Sequence, residues 1–277
     1  MEPILNHSPE KHQGQRLWLL AGTGEGPLLA TRLLQRGWRV RVSVVSANAA
    51  AAYRSLAAGR MGAALEVVVG ALAGPAAITA ALEQACQQAD PFAALIDATH
   101  PFALRISRDL ATVCAGRGVP LLRLGRALQP AGDATVLADL EGLQGCALAG
   151  RSVLLALGAR QLAAAVTSSP GAHHHARVLP APAALQQALA AGLKPARIAP
   201  LRPSRDFAVE AALVRRWGIS AIVCRQSGGP VEAGWRQVSQ RCGCQLLLLA
   251  RPAEPHAVVP LSEPLLLATL ERLVAEG

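Results

Sequence analysis

The chain has 277 residues, room for two domains of ordinary size, and its 52% hydrophobic against 16% charged residues excludes a disordered polypeptide. A formal charge of +9 raises nucleic acid first, but the arginines are scattered, aromatics are only 3%, and no helix-turn-helix, zinc-finger or RNA-binding signature is present. The charge therefore points either to a polyanionic small molecule or to a generally basic surface, and no nucleic-acid partner is expected.

The N-terminus is polar, and residues 1–15 read as a loose leader rather than a signal peptide. Six dispersed cysteines, with Cys242 and Cys244 one residue apart, fit neither a zinc ribbon nor a disulfide framework, so reduced thiols in a cytoplasmic protein are expected. Uncharged stretches such as 67–82 are broken by glycine and proline and fall short of a bilayer span, so no membrane segment is expected.

Residues 17–21 form a short apolar strand, followed at once by Gly22-Thr23-Gly24-Glu25-Gly26 and by Pro27, which opens a helix that Gly37 stops. Strand, glycine-rich turn and helix N-terminus make an anion site, because backbone N–H groups and the helix dipole converge there. The spacing is Gly-x-Gly-x-Gly rather than the dinucleotide fingerprint, and no Lys-Ser/Thr follows as in a P-loop. A tight turn that merely needs glycine is the plainer alternative. The second strand, 40–45, carries Ser43 and no acid at its end; a fold of this kind usually places an acid there for the ribose hydroxyls, so the absence leans towards a phosphorylated ribose and NADPH.

Strands at 65–69, 92–96 and 119–124 alternate with helices at 76–89 and 103–115. The 92–96 strand runs into Asp97-Ala98-Thr99-His100-Pro101-Phe102-Ala103, so a carboxylate, a hydroxyl and an imidazole meet at a strand's carboxyl end, where open α/β sheets bind ligands. A helix cap by Asp97 or Thr99 is the structural alternative. Arg123 and Arg126 leave the fifth strand on the same edge.

Between 127 and 150 the pattern breaks down at several glycines, which places the domain junction there: 16–127 as an N-terminal nucleotide-binding domain and 128–277 as a C-terminal one. A second alternating series follows, with strands at 152–157, 197–199, 219–224 and 246–249, helices at 207–217, 234–242 and 265–274, and the glycine-bearing turn Arg225-Gln226-Ser227-Gly228-Gly229. The run His173-His174-His175 lacks companion Cys, Asp or Glu, and consecutive residues cannot all face one ion, so no metal is expected. The fold class is α/β: two Rossmann-like, doubly wound domains with mainly parallel sheets.

Taken in order, Gly22 to Gly26, Asp97 to Ala103 with Ile106-Ser107, Pro120 to Arg123 with Arg126, and Ser227-Gly228-Gly229 resemble the precorrin-6A reductase family of cobalamin biosynthesis over roughly residues 16–252. The resemblance implies NADPH-dependent reduction of a double bond in the precorrin-6A macrocycle or its cobalt form, in a cleft between two Rossmann-like domains. It maps cofactor contacts onto Gly22, Thr23, Gly24, Glu25, Gly26, Ser43, Pro101 and Phe102, the active corner onto Thr99 and His100, and contacts with a polycarboxylate tetrapyrrole onto Arg123, Arg126, Ser227, Gly228 and Gly229. Neighbouring corrin-pathway enzymes are candidate partners. Relatives often carry Lys-Asn or Lys-Asp where this chain has Arg225-Gln226, and Gly-Pro-Phe at the position of Arg202-Pro203-Ser204. A Thr and a Lys of relatives are unmatched around Glu232 and Trp235. His100 is by type either a proton donor or a hydrogen-bonding group at the cofactor. Another NAD(P)-dependent reductase, or a non-catalytic tetrapyrrole or nucleotide binder, are the competing readings.

Overall fold

The computed structural model describes residues 14–22, 24–255 and 258–275; Thr23 and nearly all of the expected leader lie outside them. In chain order the elements are β1 (Arg16–Ala21), α1 (Gly26–Gln35), β2 (Arg39–Val44), the short helices α2 (Ala47–Ala50) and α3 (Arg54–Ala57), β3 (Leu65–Val69), α4 (Pro75–Gln87), β4 (Phe92–Ala98), α5 (Leu104–Arg117) and β5 (Leu121–Leu124). There follow β6 (Thr135–Leu137), β7 (Ser152–Ala156), α6 (Leu162–Ser168), β8 (His173–Val178), α7 (Pro182–Ala190), β9 (Ile198–Pro200), α8 (Ala208–Arg216), β10 (Ala221–Arg225), α9 (Pro230–Cys242) and β11 (Gln245–Leu249). The chain ends with β12 (Pro260–Leu261) and α10 (Glu263–Ala275).

Two compact units result, one ending at Arg126 and resuming at Pro252, the other spanning Ala127–Arg251. The expectation that the second domain runs on to the C-terminus is corrected. β12 pairs in parallel with β5 through Pro260↔Arg123 and Leu261↔Leu124. Leu266, Leu267 and Leu270 of α10 are buried in the first unit's core with Leu17, Leu19, Leu29 and Val42. The apolar stripe of the last helix is thus satisfied by the first sheet.

Each unit is built on a six-stranded sheet, ordered β12-β5-β4-β1-β2-β3 in the first and β6-β11-β10-β7-β8-β9 in the second, and every pairing is parallel. β6 emerges from the stretch 127–150 that shows no pattern in the sequence. Parallel strands covered on both faces need apolar residues throughout, and β1 is buried at every position after Arg16. Leu17 and Leu19 face the cluster containing α1 and α10, while Trp18 and Leu20 face Ile78, Leu82, Leu95 and Leu110 on the α4–α5 side. In both sheets the order reverses beside the unit's first long strand: between β1 and β4 in one, between β7 and β10 in the other. Loops at such a reversal diverge to opposite faces and leave a crevice at the carboxyl edge. No helix among the described residues is long and apolar enough to cross a membrane.

Candidate functional site

In the first unit the crevice is flanked by the turn after β1 and the corner after β4. The three glycines of the turn have different surroundings. A Cβ on Gly26 would run into the Tyr53 hydroxyl and lie 2.7 Å from the Ala21 Cβ, so this residue must be glycine for packing. Among the described residues no atom lies within 4 Å of the Cβ position of Gly22, and only the Arg126 guanidinium, at 3.9 Å, comes that near for Gly24. Their missing side chains leave open space over the backbone, directly before the first turn of α1, whose N-cap residue makes no side-chain cap hydrogen bond. The first amides of a helix have no partner within it, so this cradle fits an anionic phosphate group. Thr23 lies outside the described residues.

The turn is held from two sides. Tyr53, fully buried and the only tyrosine of the chain, donates its hydroxyl to the Gly22 carbonyl at 2.9 Å, and burial pushes its pKa upward. Arg126 donates to Glu25 at 2.6 Å, so Arg126, expected at the substrate, stands at the glycine turn and neutralises its one carboxylate. Ser43 is 9% exposed and accepts from the Trp18 indole at 2.8 Å, which places its hydroxyl within the α4–α5 face of the sheet.

The corner after β4 is a closed polar network. Asp97 accepts from the Thr99 amide at 2.9 Å and the Thr99 hydroxyl at 2.7 Å, a local turn that short polar side chains favour. It caps no helix: α5 begins after Ala103, which makes no side-chain cap bond. Arg123 Nη1 lies 2.7 Å from Asp97 Oδ1 and donates to the Thr99 hydroxyl at 3.1 Å and the Thr99 carbonyl at 3.3 Å. Its Nε donates to Glu254 at 3.1 Å. The Arg123 side chain, expected at the substrate, is 2% exposed and braces the corner through Asp97, Thr99 and Glu254. The Thr99 hydroxyl, donating to Asp97 and accepting from Arg123, holds position. At the apex, His100 Nδ1 accepts the Phe102 amide at 3.2 Å, so the neutral ring carries its proton on Nε2. Its ring is tilted against that of Phe102, with centroids 5.7 Å apart.

The second unit's switch-point turn is pinned differently. Gly228 has φ +67°, and a Cβ there would strike the Ala127 carbonyl and the Arg251 guanidinium, so both conformation and space demand glycine. Its amide donates to Glu232 at 2.7 Å, and that buried carboxylate also accepts from Arg236. Ser227 is buried, and Gly229 precedes α9 without a side-chain cap. The histidine run is engaged within the unit: His174 Nε2 bonds Ser169 at 2.8 Å and His175 packs on Trp217 at 4.9 Å between ring centroids. No group of three or more His, Cys, Asp or Glu among the described residues is arranged to hold a metal.

Nothing in the sequence singles out Tyr53 or Glu254. Tyr53 sits in an irregular stretch with no periodic neighbours, and Glu254 lies 131 positions from the arginine it holds. For Ser43 the signal existed: Val40, Val42 and Val44 alternate with it, which puts its side chain on the opposite face of β2.

Residues 16–270 match the family model described as Precorrin-6x reductase CbiJ/CobK. A cobalt-precorrin-6A reductase of Synechocystis sp. (strain ATCC 27184 / PCC 6803 / Kazusa) is 32% identical over 242 residues, covering 85% of this chain and 88% of that one. A precorrin-6A reductase of Rhodobacter capsulatus is 28% identical over 248 residues, covering 87% and 89%. Among solved structures, a CobK precorrin-6A reductase superposes with a TM-score of 0.71 at 24% identity, over 94% of this chain and 97% of that one.

Proposed function

The chain belongs to the precorrin-6A reductase family of cobalamin biosynthesis, oxidoreductases acting on a CH–CH bond of the macrocycle, and on that premise we propose that it reduces precorrin-6A or its cobalt form with NADPH held by its first unit. The observation that carries this reading is the pairing, across the β1/β4 reversal, of an open glycine cradle with a rigid Thr99–His100 corner.

Gly22, Gly24 and the first turn of α1 would take the pyrophosphate, with Arg126 offsetting its charge and Glu25 orienting Arg126. Pro101 and Phe102 would border the nicotinamide. NADPH supplies the hydride when bound. The chain's residues supply order: Asp97, Arg123 and Glu254 fix Thr99, the Phe102 amide fixes the His100 ring, and His100 presents Nε2–H as the donor of the corner. Ser43 serves the cofactor region indirectly by fixing Trp18 beneath the sheet edge. The Ser227-Gly228-Gly229 turn is the proposed contact for macrocycle carboxylates, with the Gly228 amide held by Glu232 and shaping the turn rather than donating to them, in a chain of net charge +9. All six cysteines are free, in keeping with a cytoplasmic setting.

The test is anaerobic incubation of the purified protein with precorrin-6A and, separately, with its cobalt form, following NADPH and macrocycle absorbance together. Loss of both signals in step with one substrate supports the reading and identifies which form is used. NADPH binding without oxidation by either substrate overturns it in favour of a binding protein.

A further inference from the structure

Arg177 is the penultimate residue of β8, next to the central strand β7 and paired with Ala199 of β9. Strand alternation puts it on the face of His175, which packs on Trp217 at the end of α8. Its Nε and Nη2 are both buried, and neither has a hydrogen-bond partner among the described residues. Those two nitrogens form the side-on edge of the guanidinium, the edge whose parallel N–H groups match the two oxygens of one carboxylate.

Among the described residues, the one anion that acts on it, Glu210, does not fill that edge. Glu210 of α8 is fully buried and favours the arginine's charge through space. Both its oxygens are taken by Ser204: Oε1 accepts the Ser204 amide at 2.9 Å, and Oε2 accepts the Ser204 hydroxyl. The loop between β9 and α8 is thereby anchored at Ser204, while Arg202 and Arg205 on either side are exposed. A desolvated guanidinium with three of its five N–H donors unpaired is unfavourable for folding, and a hydrophobic residue of similar volume would pack there without that penalty.

We propose that the Nε–Nη2 edge of Arg177 is a carboxylate-binding site, taking one peripheral carboxylate of the macrocycle in bidentate fashion as the 201–206 loop yields to admit it. The site belongs to the second unit, near the carboxyl end of β8, which flanks β7 on the side away from β10, and so lies on a different strand from the one that leads into the 227–229 turn. It rests on the reading of the chain as a reductase of a polycarboxylate macrocycle.

The test compares wild type, Arg177→Met and Arg177→Lys in three measurements: precorrin-6A affinity by absorbance titration without NADPH, NADPH affinity, and thermal stability. Arg177→Gln replaces the Met variant if that one does not fold. The expected result is macrocycle binding weakened about tenfold or more in Arg177→Met, the scale of one lost charge-assisted contact. Lysine should restore little of this, NADPH affinity should not change, and the melting temperature of the Met variant should rise. Unchanged macrocycle binding with a raised melting temperature overturns the proposal, because the arginine is then only a packing defect. Full rescue by lysine, or competition by inorganic phosphate at equal strength, also overturns the bidentate carboxylate site. If wild type neither binds nor reduces precorrin-6A, the reductase reading falls and this proposal with it.

Discussion

Arg123 and Asp97 face each other at 2.7 Å with both side chains only 2% exposed, and the hydroxyl and carbonyl of Thr99 are bound into the same pair. Neither charge has water to fall back on. Arg123→Met should therefore destabilise the first unit by about 3–5 kcal/mol, since it strands the Asp97 carboxylate. Glu254→Gln leaves the pair intact and keeps a neutral acceptor for Nε, so its cost should be about 1 kcal/mol. Urea melts of the two variants test the ranking; equal losses would refute it.

The glycines of the turn should separate by substitution. Gly26→Ala forces a methyl into Tyr53 and Ala21 and should cost about 1–3 kcal/mol of stability. Gly22→Ala meets no atom of the described residues, so the melting temperature should hold while NADPH affinity falls as the methyl keeps phosphate from the backbone. Tyr53→Phe removes the bond to the Gly22 carbonyl and should weaken NADPH by a few-fold, on the scale of about 1 kcal/mol. Differential scanning fluorimetry paired with NADPH titration reads both quantities.

Opposite effects are expected from the two partners of the Glu25–Arg126 pair. Glu25→Gln removes a negative charge beside the anion cradle and should tighten NADPH. Arg126→Gln leaves that carboxylate unopposed and should weaken it about tenfold. Both changes should shrink as salt is raised, because each side chain is partly in water. Titrations at 50 and 500 mM salt decide.

The second unit should lose stability on mild acidification. Burial, the main cause, lowers the pKa of His174 and His175, so the unfolded chain binds protons more readily than the folded one. That contribution is complete above the ordinary histidine value of about 6.5 and declines as pH falls through it towards the lowered folded values. Melting temperatures measured from pH 8 to pH 5 should drop across this window, and a His174→Gln, His175→Gln double variant should flatten the drop.

The alternation of strand and helix was legible because parallel strands buried on both faces must be apolar along their length, and β1, β4 and β10 show it. The corner at Asp97–Phe102 was legible as a polar cluster at a strand end. Its wiring was not, since an arginine on a strand reads as surface until its partners are known, and Glu254 comes from beyond the other unit. β6 and β12 are three and two residues long, too short for any period to register. The last helix showed its apolar stripe clearly, but a stripe does not say which sheet it will cover. Arg177 could not be recognised from sequence at all, because what marks it is the absence of an acceptor in a folded interior.

The return of β12 and α10 to the first sheet sets an order on biosynthesis. A nascent chain emerging from the ribosome has the whole of Ala127–Arg251 available to collapse before the leucines that close the first unit have been made. Until then β5 offers an open edge, a template for pairing with other chains. The later unit by position is therefore the earlier one able to finish, and a fragment cut after Arg126 would be expected to aggregate rather than bind nucleotide.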